Sequence, residues 1–291
     1  MYTQIASNKR KSILFVLGFV VLIGGLDYIF ARAFGQPSFF IPILIVAVAY
    51  AFISYFYSAH IALALSGAVA LEKKDNPGLY NTVENLAIAA GLPTPKIYII
   101  NDPSPNAFAT GRDPEHAVVC VTTGILPLLE KSELEGVIAH ELSHVGNFDI
   151  RFMAVVVGLV SVVGVLSDLF LRISFWSRDD REEGNQLFLI LGIIGAILAP
   201  LVAALIQFAV SRQREYLADS SGALLTRYPE GLARALEKIS ANPQPLQHAS
   251  STTSPLYIIN PLKGRSLASL FDTHPPIKDR IARLRQMETS Q

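Results

Sequence analysis

Four stretches of the chain are almost purely apolar: Ile13 to Ala31, Phe39 to Ala59, Phe152 to Leu171 and Leu187 to Val210. Each is about 20 residues long, the length at which a helix crosses a hydrocarbon core. A single such block reads as a buried core helix. Four of them with almost no charge predict two pairs of transmembrane helices. Asp27 and Asp168 are the charged exceptions, and both fall toward the ends opposite the N-terminus, where headgroups or water can wet them. Lys9, Arg10 and Lys11 precede the first block and place the N-terminus in the cytoplasm. Each pair of spans returns the chain to that side, so the C-terminus and both polar segments are expected there. The chain then divides into a first helix pair (1–60), a polar part (61–151), a second pair (152–210) and a second polar part (211–291), the two polar parts forming one domain.

Inside the polar parts the pattern changes. Asn76-Pro77 opens a periodic run that ends before Gly91, a helix with a cap, Pro at its first position and Gly past its end. Lys96 to Ile100, Asn106 to Thr110 and Ala117 to Thr122 read as short strands separated by turn residues, and a small antiparallel sheet is expected. Ser132-x-x-Glu135 predicts a capping box, followed by Leu134, Val137, Ile138 and Leu142 at helical spacing. Further helices are expected from Ser211, around Leu232 to Ile239 and from Ile277 to Met287. Asn242 to Ser266 is rich in Ser, Thr and Pro and reads as a long loop. The expected fold class is a mainly α integral membrane protein with an α+β domain.

Composition sharpens the picture. Of 291 residues, 51% are hydrophobic and 16% charged, below the globular norm of about 25% charged. Twenty-four basic residues balance 24 acidic ones, which argues against a nucleic-acid partner. Cys120 is the one cysteine, so neither an intrachain disulfide nor a Cys-based metal site is available.

The capped helix carries His140-Glu141-Leu142-Ser143-His144. Two His at i and i+4 share a helical face and can converge on one Zn²⁺. Glu141 is turned about 100° away and can reach a zinc-bound water without being a ligand. This is the metalloprotease pattern H-E-x-x-H. A catalytic zinc needs a third protein ligand and an open position. His60, His116 and His248 read as bystanders. The segment Glu215-Tyr216-Leu217-Ala218-Asp219 offers two carboxylates on one helical face. One can bind metal while the other accepts the free N–H of a ligating His, and spacing alone leaves open which does which.

Four motifs in this order resemble the HtpX membrane metalloproteases, relatives of the CAAX prenyl proteases: HELSH, SRQREYLAD from Ser211 to Asp219, NAFATG from Asn106 to Gly111, and THPPIKDRIARL from Thr273 to Leu284. The resemblance spans essentially the whole chain and implies a zincin-like protease domain. It implies one zinc per chain on His140, His144 and Glu215, with Glu141 as general base and Asp219 behind the ligands. It further implies that His274 stabilises the tetrahedral intermediate. Asn106, Ala107, Phe108, Ala109 and Thr110 would form the edge strand on which substrate lies. The implied activity is an endopeptidase of the cell inner membrane, acting at the cytoplasmic face in quality control and stress response. Its partners would be the lipid bilayer and unfolded or misassembled membrane proteins. The rival expectations are a processing protease with one defined substrate, and a transporter or zinc scaffold.

Overall fold

The computed structural model describes residues 2–33, 40–157, 159–160, 212–242, 244–247, 253–261 and 275–288. His248, His274, Asp168, residues 158 and 161–171 of the third apolar block and all of the fourth lie outside them. The first block falls in helix α1 (Tyr2–Ala33), the second in α2 (Phe40–Phe56) and the start of α3 (Ser58–Leu65). Among the described residues no helix is long and apolar enough to cross a membrane.

The polar parts are mostly helical around a small sheet. Strands β1 (Ala68–Ala70), β2 (Lys96–Ile100), β3 (Ala107–Thr110) and β4 (Val118–Thr122) lie in the order β1-β2-β4-β3. The sheet is mixed and not antiparallel as expected, because β2 and β4 run parallel. The composition of β4 supplies the reason. Its five residues, VVCVT, are all buried, so the strand needs cover on both edges and both faces. The β3–β4 hairpin therefore docks with β4 inward against β2 and leaves β3 at the edge. Side chains alternate between two cores, as strand periodicity requires. Val119 and Val121 face helix α4 (Pro77–Ala89) and α6 (Lys131–Gly146), whereas Val118 and Cys120 face α3, Leu256 and Tyr257.

The short α5 (Ile125–Leu128) leads from β4 to α6. Helix α4 begins as expected: the Asn76 side chain accepts from the Leu79 N–H at 3.0 Å, and Gly91 takes a φ of +67° just past its end. Helix α6 begins two residues earlier than the Ser132 capping box predicts. Glu133 Oε2 accepts from the Glu130 N–H at 2.8 Å and also pairs with Lys238 at 2.7 Å. That ion pair, with Glu133 buried and Lys238 partly so, ties Glu133 into the core and outcompetes the Ser132 cap. Helices α7 (Arg212–Thr226) and α8 (Pro229–Ala241) pack on α6, and α9 (Ile277–Glu288) packs on α8 and α7.

Candidate metal centre and active site

Helix α6 places His140 and His144 one turn apart with their ring planes nearly perpendicular. Helix α7 crosses α6 at Gly222, where an added Cβ would meet the His140 backbone N at 2.9 Å. That backbone-to-backbone approach brings Glu215 and Asp219, on the same face of α7 as Gly222, into reach of the imidazoles. The two Nε2 atoms stand 3.2 Å apart. Glu215 Oε1 is 3.5 Å from His144 Nε2, and its Oε2 is 3.8 Å from His140 Nε2. A tetrahedral ion with bonds of about 2.0–2.1 Å separates its ligand atoms by about 3.3–3.4 Å. The three side chains together can therefore hold a metal ion, and two imidazoles with one carboxylate suit zinc.

Each imidazole is turned by a buried aspartate. Asp219 Oδ1 lies 3.0 Å from His140 Nδ1, and Asp149 Oδ2 lies 3.0 Å from His144 Nδ1. An Nδ1–H donated to carboxylate leaves Nε2 as the lone-pair nitrogen, directed at the shared centre. Asp219 is gripped in turn by Arg280 of α9, which donates through Nε at 2.8 Å and Nη2 at 2.7 Å. Arg280 is 1% exposed and also donates to the Ile258 carbonyl at 3.0 Å. Asp149 is reached by a turn at the end of α6 in which Phe148 takes a φ of 60°. Its Oδ1 accepts from Asn8 Nδ2 at 2.8 Å.

The electrostatics follow from burial and these partners. Burial pushes the Glu141 carboxyl up to about 7, against the pull of His144. Burial also opposes charge on His144, but the Asp149 hydrogen bond and the Glu215 and Asp149 carboxylates outweigh it and raise it to about 9. Burial holds His140 below the ordinary histidine range. For Asp219, burial is overcome by Arg280 and His140, which hold the carboxyl below the usual range. Glu141 Oε1 is buried with no hydrogen-bond partner among the described residues, while the carboxylate accepts the backbone N–H of Ala109. A cleft of about 30 Å³, lined by Ala109, Glu141, His144, Glu215 and Leu256, opens at this point. It has room for water and not for a peptide.

The structure thus brings together His140, Glu141, His144, Glu215 and Asp219. His274 lies outside the described residues. Asn106 through Thr110 are buried beside the site along the edge strand. The outer edge of β3 is partly covered: the Ile258 N–H donates to the Ala107 carbonyl at 2.9 Å, and the Asn106 amide donates to the Ile259 carbonyl at 2.8 Å. The residues that sequence reasoning missed are Asp149, Arg280 and Asn8. The one signal for Asp149 is a carboxylate five residues past the second His, just after the Gly146-Asn147 helix stop. Arg280 sits in a motif quoted only for resemblance.

Comparison with known proteins agrees with this geometry. The sequence profile of Peptidase family M48 matches residues 73–288. A protein named Protease HtpX homolog from Tropheryma whipplei is 50% identical over 288 residues, 99% of this chain and 98% of the relative. Another from Dictyoglomus thermophilum is 48% identical over 287 residues, 98% of this chain and 94% of the relative. The crystal structure of S. mikatae Ste24p shares the fold, with a TM-score of 0.54 and 20% identity over 96% of this chain and 67% of that one. With a profile match over most of its length and full-length relatives near half identity, the chain belongs to Peptidase family M48 and is an HtpX-like metalloprotease.

Proposed function

We propose that this chain is a membrane-embedded zinc endopeptidase that cleaves damaged or unassembled membrane proteins at the cytoplasmic face, in quality control and stress response. The observation that carries the chemistry is the convergence of two imidazole Nε2 atoms and Glu215 beside a buried Glu141 with a spare oxygen. One zinc per chain would be held by His140, His144 and Glu215. When bound, it would supply a Lewis acid that polarises the scissile carbonyl and lowers the pKa of a water to about 7.

The protein's own groups do the rest. Glu141 Oε1 takes the proton of the attacking water and returns it to the leaving amine. An acid held near neutrality suits both halves of that exchange. Asp219 and Asp149 keep the imidazoles in register. His274 donates to the oxyanion as it develops. Asn106, Ala107, Phe108, Ala109 and Thr110 offer main-chain hydrogen bonds to an extended peptide, a mode that makes few sequence demands. Since Ile258 pairs with Ala107, the segment 253–261 must yield at that end for a peptide to add fully.

Membrane embedding is supported by the four apolar blocks and by the side chains that α1 and α2 leave bare. Leu17, Val21, Ile45, Val46 and Phe52 are each more than half exposed, an arrangement suited to lipid and costly in water. The test uses the full chain in lipid nanodiscs. Chelation should stop cleavage of an unfolded membrane protein, zinc should restore it, and the same substrate when folded should be spared. Cleavage that survives metal removal, or falls equally on the folded substrate, would defeat the reading.

A further inference from the structure

We propose that Asn8, on the first helix, is a positioning residue for His144, acting through Asp149. The inference rests on the reading of His144 as a metal ligand. Both hydrogens of the Asn8 amide are used: Nδ2 donates to Asp149 Oδ1 at 2.8 Å and to the Asn147 carbonyl at 3.0 Å. Both partners only accept, so the amide orientation follows from their chemistry. The Asn8 amide therefore joins the last turn of α6 to the carboxylate that turns His144. The Arg214 guanidinium also faces Asp149, but at 3.8 Å from Oδ1, so it contributes charge where Asn8 contributes a directed hydrogen bond.

The rest of α1 is arranged to hold Asn8 there. Asn8, Ser12, Phe15 and Phe19 recur at helical spacing and form one stripe. Asn8, Ser12 and Phe19 are buried, Ser12 Oγ donates to the Asn8 carbonyl at 2.9 Å, and the Phe15 ring meets Phe152 edge-on at 5.0 Å. The neighbouring Ile13, Leu14, Leu17 and Val21 are exposed. One side of α1 thus docks on the helical stretch that follows Asp149, while the other is bare and apolar.

The two ligating histidines are consequently oriented from opposite ends of the chain. His140 is set by Asp219 and Arg280 of α9, inside the protease domain. His144 is set by Asp149 and Asn8, on a helix that continues into the first apolar block. The placement of that helix feeds directly into the geometry of one ligand. Partners bonded directly to a ligating His, as Asp149 is, typically change metal affinity or activity by about 10–100-fold, and Asn8, acting through that partner, should fall at the low end of that range.

The experiment compares full-length Asn8→Ala, Asn8→Leu and Asn8→Gln with wild type in nanodiscs. It reads zinc affinity by chelator competition, kcat and KM, and the visible spectrum of the cobalt-substituted protein. Asn8→Ala and Asn8→Leu should weaken zinc about tenfold, lower kcat with KM unchanged, and shift the cobalt bands. Asn8→Gln, which keeps the amide, should recover part of each. Ile13→Ala, on the bare side of the same helix, should change none of them. In an Asp149→Ala background the Asn8→Ala effect should vanish, which a merely packing role would not do. If Asn8→Ala does not fold, the Leu and Gln variants carry the same comparison. Wild-type zinc affinity and cobalt spectrum in the Ala or Leu variant, or full additivity with Asp149→Ala, would overturn the proposal. A His144→Ala protein that kept its zinc would instead overturn the ligand reading beneath it.

Discussion

The two imidazoles of the centre are alike in sequence and opposite in charge preference. His144 is pushed up to about 9 by Asp149 and Glu215, so in the metal-free protein it is protonated at neutral pH. A metal ligand must be neutral, so zinc uptake at pH 7 should release a proton from this site. Apparent zinc affinity should rise as pH climbs toward about 9 and then level off; a weakly buffered titration followed with a pH indicator checks both. The sign is reversed at Asp219, whose carboxyl lies below its ordinary value because Arg280 and His140 outweigh burial. Its contribution to stability is present above the unfolded value of about 3.9 and is lost as pH falls below it. Denaturation of the metal-free protein should show Asp219→Asn less stable than wild type near pH 6, with the gap closing toward pH 3. Arg280→Met leaves that carboxylate buried without its partner and should cost about 3–5 kcal/mol. Asp219 behind a ligating imidazole was expected from its spacing and the family resemblance, but the partners of the two aspartates, Arg280 and Asn8, were not legible in the chain. Asp219 and Arg280 stand 61 positions apart, and Asn8 and Asp149 stand 141 apart, so only the tertiary fold makes them neighbours. His140, Glu141 and His144 were legible because helical periodicity alone puts them on adjacent faces.

At the scale of elements, the centre depends on how closely α7 lies on α6. Gly222 is the point of contact, and a Cβ there meets His140 backbone atoms at 2.9 and 3.1 Å. Backbone has no flexible end to swing away, so the helices must part. Gly222→Ala should destabilise the protein by about 1–3 kcal/mol and weaken zinc, because Glu215 and Asp219 retreat with α7. A thermal melt and a chelator titration of the same sample read both effects. The local signals of helix α4, Asn76, Pro77 and Gly91, were readable because each acts within a few residues of itself. Strand β1 left no signal: three small residues, Ala-Val-Ala, carry no alternation to read. The parallel pairing of β2 and β4 was equally silent, since strand direction is settled by which edge of the hairpin docks.

For the molecule as a whole, the account joins a protease domain in two pieces to helices with bare apolar sides. In the proposed topology, the Lys9-Arg10-Lys11 cluster would put both termini and the centre in the cytoplasm. Reporter fusions at the C-terminus and within residues 172–186 should therefore register opposite sides of the membrane, and an outer signal from the C-terminus would invert the topology. The order of the four motifs announced the family, because such motifs are properties of sequence itself; the four apolar blocks carry the proposed membrane organisation that these fusions test. How α1 docks on the centre was not announced, since Asn8 differs from any other polar residue only by where the fold sends it. The central claim is that Glu141 moves protons beside a metal it does not bind. The most direct measurement is metal content together with cleavage of an unfolded substrate, for wild type and Glu141→Gln. The account predicts that the variant keeps stoichiometric zinc and loses cleavage, because the amide cannot take a proton while His140, His144 and Glu215 are untouched. A variant that still cleaves, or one that loses its zinc while remaining folded, would contradict it.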